Sequence, residues 1–409
     1  MTTLFTNGNL VDVIGQTVLT GGSILVENGM IKEVGTSIAA PDGAKVVDLG
    51  GRTVLPGLFN CHVHMCSDAG TGAKETISDA AVTIRALKNL KTLLNSGVTY
   101  IRDAGAPKYI DVDLHDAQLK GEILAPEMQT ACRCICMTGG HGHDSGREAD
   151  GPDDCRRAAR EQLKAGANWI KVMATGGVMT KGVEPGSPQL TEEELRAAIE
   201  EAHKAGAKTF THAQGMEGIK NALRAGVDSI EHGAQPDAAI TALYKEKGAF
   251  QVATLSPALP YALFDRSVSH ATYEQQENGK VVFDGIIAMA RENLANGIPV
   301  GLGTDTGCPY ITHYDMWREL CYFVKYCGVT PAFALHTATL LNARLAGIDG
   351  ETGSIEAGKA ADLIVCAKDP LADLSALRTL SMVIKGGYRV EHPAPKKLPE
   401  VERELDKFL

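Results

Sequence analysis

Short apolar runs alternate with amphipathic stretches through the middle of this chain, and that alternation limits the fold more than any other feature. Strand-like runs stand at Pro56-Gly-Leu-Phe59, Val98-Thr-Tyr-Ile101, Glu127-Met-Gln-Thr130, Trp169-Ile-Lys-Val-Met173, Thr209-Phe-Thr211, Ser229-Ile230, Phe250-Gln-Val252 and Val300-Gly-Leu302. Amphipathic spacing predicts helices over Thr76 to Leu94, Asp153 to Ala165, Leu190 to Ala205 and Ala288 to Ala295. The third opens with Thr191-Glu-Glu-Glu194, a capping box. Glycines in Ala165-Gly-Ala167, Ala205-Gly-Ala207 and Ala225-Gly-Val227 fit helix C-caps ahead of a return to a sheet. Eight strands interleaved with helices predict an α/β fold, a (β/α)8 TIM barrel over residues 56–352.

The two ends have a different texture. Ser23-Ile-Leu-Val-Glu27 and Met30-Ile-Lys-Glu-Val34 flank Asn28-Gly29, a strong hairpin signal, and Val46-Val47-Asp48 and Thr53-Val54-Leu55 continue the β character. Ala361 to Cys366 and Met382 to Lys385 read as strands near the other terminus, with Gly386-Gly387 as a turn. Residues 1–55 and 353–409 are therefore expected to build one small discontinuous β-sandwich, the latter also carrying a C-terminal tail.

Charge narrows the partners. Lys plus Arg total 40 against 50 Asp plus Glu, a net charge of −10, so nucleic acid and anionic membrane surfaces are poor partner candidates. Met1-Thr-Thr-Leu-Phe lacks the basic leader of a secretory signal, and no apolar run is long enough to span a bilayer. Ten cysteines without a CxxC pair read as reduced thiols of a cytoplasmic protein. Cys132, Cys134 and Cys136 alternate and are expected on one face of a strand end, packing rather than binding metal.

The chemistry falls at strand ends. His62 and His64 follow the first strand, Lys171 lies in the fourth, His212 ends the fifth, His232 the sixth and Asp305 the eighth. This is the face on which such barrels build sites. A single histidine near a strand end is ordinarily structural, but in His62-Val-His64 the period of two aims both imidazoles to one side. Lys171, between Ile170 and Val172, would point a bare ammonium inward at a cost. It pairs with an acid, snorkels to the mouth, or has reacted with CO2 to give an anionic carbamate; the company of the other five residues favours the last. Gly70-Thr-Gly72-Ala-Lys74 hints at a phosphate loop without completing the pattern, and neither GxGxxG after a strand nor a GxSxG elbow is present.

Leu55-Pro-Gly-Leu-Phe-Asn-Cys-His62-Val-His64, Trp169-Ile-Lys171, Thr211-His212-Ala, Ile230-Glu-His232-Gly, Gly303-Thr-Asp305, Thr337 to Ala343 and Gly353 to Leu363 together resemble the amidohydrolase superfamily, in its imidazolonepropionase-related, prolidase-like branch. The resemblance implies a binuclear centre. His62, His64 and Asp305 would hold one divalent cation and His212 and His232 the other, with carboxylated Lys171 and a hydroxide bridging; zinc suits the ligand set. It implies that Asp305 moves the proton during attack on an amide carbonyl. His141 and His143 of Thr138-Gly-Gly-His-Gly-His143 would contact substrate, with a solvent-facing loop residue the alternative for His143. Gln214 stands where some dipeptidase relatives carry Tyr. A substrate carboxylate would want Arg102, Arg133, Arg147 or His141, and Thr254 to Lys280 reads as a long loop, either a specificity lid or a surface excursion. The expected activity is hydrolysis of a dipeptide (Xaa-Pro or similar) or an N-acyl amino acid. The alternative is a cyclic amide, as for imidazolonepropionase, or a xenobiotic amide, carbamate or urea. Deaminase relatives commonly lack the bridging lysine, and non-catalytic relatives lack key ligands. Family habit implies a homo-oligomer.

Overall fold

The structure is a computed structural model that describes residues 2–69, 77–178, 180 and 184–409. The Gly70–Lys74 segment and the expected helix start at Thr76 lie outside the described residues. Eight parallel strands follow one another along the middle of the chain: Leu58–Val63, Val98–Asp103, Glu127–Gln129, Trp169–Met173, Lys208–Ala213, Ser229–His232, Phe250–Ala253 and Val300–Leu302. The first three form one parallel sheet. The other five, with the two-residue strands Ile135–Cys136 and Arg147–Glu148, form a second, seven-stranded one.

Backbone bonds stitch these sheets together. His64 N–H donates to Thr306 carbonyl and Asp305 N–H to His62 carbonyl, both at 2.9 Å, and on the far side Trp169 N–H donates to Thr130 carbonyl at 3.0 Å. A buried amide reinforces the seam between the first and eighth strands. Asn342 Oδ1 accepts from Leu302 N–H at 3.0 Å, while its Nδ2 donates to the carbonyls of Phe59 at 3.1 Å and Leu302 at 2.9 Å. Asn60 adds a second tie, giving Nδ2–H to Thr304 Oγ1 at 2.7 Å.

Helices cover the strands through apolar contact. Ile170, Val172 and Ile230 share a buried cluster with Leu195 and Ile199 of helix Glu192–Lys204 and Ile219 of helix Met216–Ala225. The capping box is formed as expected, Thr191 Oγ1 accepting from Glu194 N–H while the Glu194 carboxylate accepts from Thr191 N–H. The expected loop of residues 254–280 is instead mostly helical, with helices Leu255–Leu263 and Arg266–Ser269 and the start of Tyr273–Ala295. Pro257 sits in a first turn, where a missing N–H costs nothing, whereas Pro260 lies inside the same helix. Thr272-Tyr-Glu-Gln275 forms a capping box that launches the longest helix. The three alternating cysteines also divide. Cys134 and Cys136 pack with Met173, whereas Cys132 has a left-handed backbone (φ 56°) and faces the carbonyl of Gln162.

Both chain ends share one mixed sheet. Thr2–Asp12, Thr17–Glu27, Met30–Gly35, Lys45–Asp48 and Thr53–Pro56 join Leu363–Cys366, Leu380–Lys385 and Tyr388–Glu391, with Leu55 opposite Ile364. Their inward side chains, including Phe5, Ile24, Leu363 and Ile384, form one buried core. Asn28 (φ 51°) and Gly29 (φ 82°) make the expected hairpin turn, and a side chain at Gly29 would come within 2.7 Å of Gly386 carbonyl. The tail ends in helix Pro399–Leu405, where Glu402 accepts from Arg318 at 2.8 Å. Among the described residues no helix is long and apolar enough to cross a membrane.

Replacing Asn342 by leucine removes three bonds from buried backbone groups. The expected loss is roughly 2–4 kcal/mol of stability, read as a lower urea midpoint with unchanged slope.

Candidate metal centre

His62 is a residue of the first strand and His64 follows its end, with ring centroids 5.5 Å apart. Both aim Nε2 at Asp305 Oδ1, at 3.4 and 3.2 Å. The ligand atoms of these three residues lie within 4.8 Å of one another, so they can hold one metal ion. Asp305 reaches them because the chain turns left-handed just past the eighth strand (φ 56°). His232 is likewise left-handed (φ 69°), a strain of about 1–3 kcal/mol of the kind that clusters at functional sites.

A second group adjoins the first. The His232 ring lies 5.2 Å from His62 and 4.6 Å from His212, which follows Lys171 in the neighbouring strand register. Lys171 is 1% exposed, its Nζ 4.6 Å above the Phe210 ring, and among the described residues no carboxylate lies within ion-pair distance of it. The structure thus brings His62, His64 and Asp305 within reach of one ion, with the His232 and His212 rings beside them and the Lys171 amine over Phe210.

The donors are prepared for a cation. His62 Nδ1 lies 2.7 Å from Glu231 Oε2, His64 Nδ1 3.3 Å from Gly105 carbonyl and His232 Nδ1 2.5 Å from Thr254 Oγ1. A carboxylate can only accept, and Glu231 is nearer to His62 Nδ1 than Asp305, at 3.4 Å, is to Nε2, so His62 carries its proton on Nδ1 and turns a bare Nε2 to the centre, the orientation that metal-ligating imidazoles require. Burial, helped by the Lys171 charge, holds His62 down to about 4, and burial above all takes His232 down to about 3. Burial lowers Lys171 to about 8. In His64 burial is outweighed by the bond to Asp305, which raises it; in Asp305 burial is outweighed by His62 and His64, which hold the carboxyl well below its usual range. Imidazoles, His62 and His232 among them held neutral, beside an ionised carboxylate are a borderline-cation donor set, so the residues fit divalent metal.

Substrate-facing expectations fare unevenly. The His141 ring lies 4.0 Å from His212, with Nδ1 2.6 Å from Thr180 Oγ1, and burial lowers it to about 4. Gly177 makes this approach feasible, since a Cβ there would come within 2.7 Å of His141 Cε1 and 3.1 Å of His212 Nε2. Gln214 has a buried Oε1 that meets no partner among the described residues. His143 turns to its own loop, Nδ1 lying 2.8 Å from Gly140 carbonyl and Nε2 3.1 Å from exposed Asp144. The arginines are engaged elsewhere. Arg102 is buried on Glu231, Arg133 is bound to the carbonyls of Ser145 and Gly146, and Arg147 forks onto Asp154 and Glu161.

Glu231 escaped the sequence reading. Strand alternation forbids Glu231 and His232 from facing one cluster, but the left-handed backbone at His232 lets both do so. An acid inside the apolar run Ser229-Ile-Glu-His was the available signal, because a buried carboxylate requires a partner.

These features define a metal-dependent hydrolase site, and the chain belongs to the amidohydrolase family, whose sequence model matches residues 53–390. It is a hydrolase acting on C–N bonds. Among solved structures, a proposed prolidase of Bifidobacterium longum is 35% identical, with a TM-score of 0.92 and 99% of this chain and 98% of that one covered. A Xaa-Pro dipeptidase with bound methionine in its active site is 31% identical, with a TM-score of 0.88 and coverages of 96% and 100%. Ochratoxinase of Aspergillus niger is 28% identical over 379 residues, 83% of this chain and 76% of that protein.

The buried histidines give the metal-free chain a signed pH dependence. Unfolded, each ring takes up a proton near 6.5, whereas folded His62 and His141 resist to about 4 and His232 to about 3. Acid therefore favours unfolding, by up to about 1.4 kcal/mol per pH unit for each ring in that window. The melting temperature measured in chelator should fall steadily as pH drops from 6.5 toward 4; a flat profile would contradict the neutral imidazoles.

Proposed function

We propose that this protein is a binuclear metal-dependent amidohydrolase that cleaves the amide bond of a dipeptide, Xaa-Pro or similar, or of an N-acyl amino acid. The eight parallel strands close in this reading into a (β/α)8 barrel over residues 56–352, capped by a β-sandwich from residues 1–55 and 353–409. The observation that carries the proposal is the convergence of the His62 and His64 Nε2 atoms on Asp305 Oδ1 beside the His212, His232 and Lys171 side chains. Likeness to a Xaa-Pro dipeptidase over nearly the whole chain supports the substrate class. Likeness to ochratoxinase favours an N-acyl amino acid as the second reading within it.

His62, His64 and Asp305 would hold one cation, His212 and His232 the other, and Lys171 would bridge as a carbamate. Zinc at these positions would supply Lewis acidity toward the amide carbonyl and a water of lowered pKa. Burial leaves the Lys171 amine partly neutral near physiological pH, the form that adds CO2 and releases a proton. Asp305, ionised and beside both histidines, accepts the proton of the attacking water and returns it to the leaving amine. His141 donates toward the substrate carbonyl or carboxylate. Gln214 turns its unpartnered Oε1 to the substrate, and His143 contributes from the outer turn of the same loop as His141.

The test is hydrolysis of a dipeptide and N-acyl amino acid library by zinc-loaded protein, with Lys171→Ala as the control. Turnover should follow the identity of the C-terminal residue. The variant should lose about 10^3-fold or more in kcat/KM, the several kcal/mol that metal-assisted attack provides. Silence across the library with two metals bound would redirect the substrate to lactams, ureas or other non-peptide amides.

A further inference from the structure

Behind His62 lies a buried ion pair that amide cleavage does not itself call for. Glu231 uses both oxygens: Oε2 lies 2.7 Å from His62 Nδ1, and Oε1 accepts from Arg102 Nη2 at 2.7 Å and from Ser229 Oγ at 2.8 Å. Arg102 is fixed in turn. Its Nε donates to Cys61 carbonyl at 2.8 Å and its Nη1 to Ser229 Oγ at 3.0 Å. Its guanidinium carbon lies 4.7 Å from the Trp169 ring centroid and 4.2 Å from that of Phe210. Arg102 and Glu231 are at most 1% exposed. Apolar residues of similar volume commonly stabilise a core as well as a buried ion pair does, so stability alone gives no reason for a charged pair here.

We propose that Glu231, locked in place by Arg102, is the positioning residue that sets the tautomer and aim of His62. The inference rests on the metal-centre reading given above. A carboxylate offers no proton, so His62 must place its own on Nδ1 and leave Nε2 bare toward the centre. Arg102 matters because a guanidinium only donates and therefore claims an oxygen of residue 231. In Glu231→Gln the single amide oxygen goes to Arg102 and the NH2 group turns to His62. Nδ1 must then accept, and the proton moves to Nε2, where it blocks a cation. In the double variant Arg102→Met with Glu231→Gln only the Ser229 hydroxyl remains at that position, and a hydroxyl accepts as readily as it donates, so the amide can rotate and restore the original tautomer.

The experiment measures zinc affinity of the full-length chain by chelator competition, together with the imidazole nitrogen shifts of His62 in the metal-free wild type. Glu231→Gln should weaken zinc binding about 10–100-fold, the usual loss on removing such a partner, and the double variant should recover part of it. Recovery is the signature of tautomer control, since damage to packing alone would make the double variant worse. A double variant no better than the single one, or a wild-type His62 protonated on Nε2, would overturn the proposal. Should either variant fail to fold, the wild-type shifts decide it. Protonation of His62 on Nδ1 in a chain that binds no cation would leave the tautomer assignment standing and sink the metal-centre reading instead.

Discussion

The candidate centre draws its first three ligands from places 241 residues apart or more in the chain, His62 and His64 on one side and Asp305 on the other. They meet because the first and eighth strands run side by side, and few backbone bonds hold them there. The side-chain amide of Asn342 supplies what a continuous ladder would otherwise give, binding a carbonyl of each strand and an N–H of one. A hydrogen-bonded amide with no exposure to water has little freedom to drift, so the spacing of the two histidines from the carboxylate follows from this seam. The left-handed turn at Asp305 then bends the chain back toward them.

Around that seam the molecule buries Lys171, the histidines His62, His212 and His232, Arg102, and the acids Glu231 and Asp305. Each is made tolerable in a different way. Glu231 and Arg102 neutralise one another, and Arg102 helps hold the Glu231 carboxyl down to about 2 against burial. Burial keeps His62, His212 and His232 neutral. Lys171 has no ion-pair partner among the described residues, and although its Nζ lies over the Phe210 ring, burial lowers its pKa to about 8, toward a reactive amine.

Much of this was legible in the residues themselves. Alternating runs, the Thr191 capping box and the Asn28-Gly29 turn are local signals, and local structure followed them. The grouping of His62, His64 and Asp305 was legible because strand ends in such folds share a face, which turns scattered residues into a cluster. What failed to show has a common cause in backbone detail. Left-handed residues at Cys132 and His232 break strand alternation, so Cys132 parted from its two neighbours and Glu231 joined the site unannounced. The helices within residues 254–280 were hidden because Pro257 and Pro260 both fall within helix Leu255–Leu263, the first in its opening turn and the second in its interior. Arginine roles are the hardest to read, since only the fold reveals which guanidinium has already found its acids.

The sheet built from both chain ends has a further consequence, for the order in which the protein can form. Strand Thr53–Pro56 has its partner in Leu363–Cys366, and the seam of the first and eighth strands needs Asn342. During synthesis the N-terminal strands therefore leave the ribosome long before the segments that cover them, with an unpaired edge exposed throughout. Completion comes only once residues 363–391 have been made, which leaves that edge uncovered in the interval.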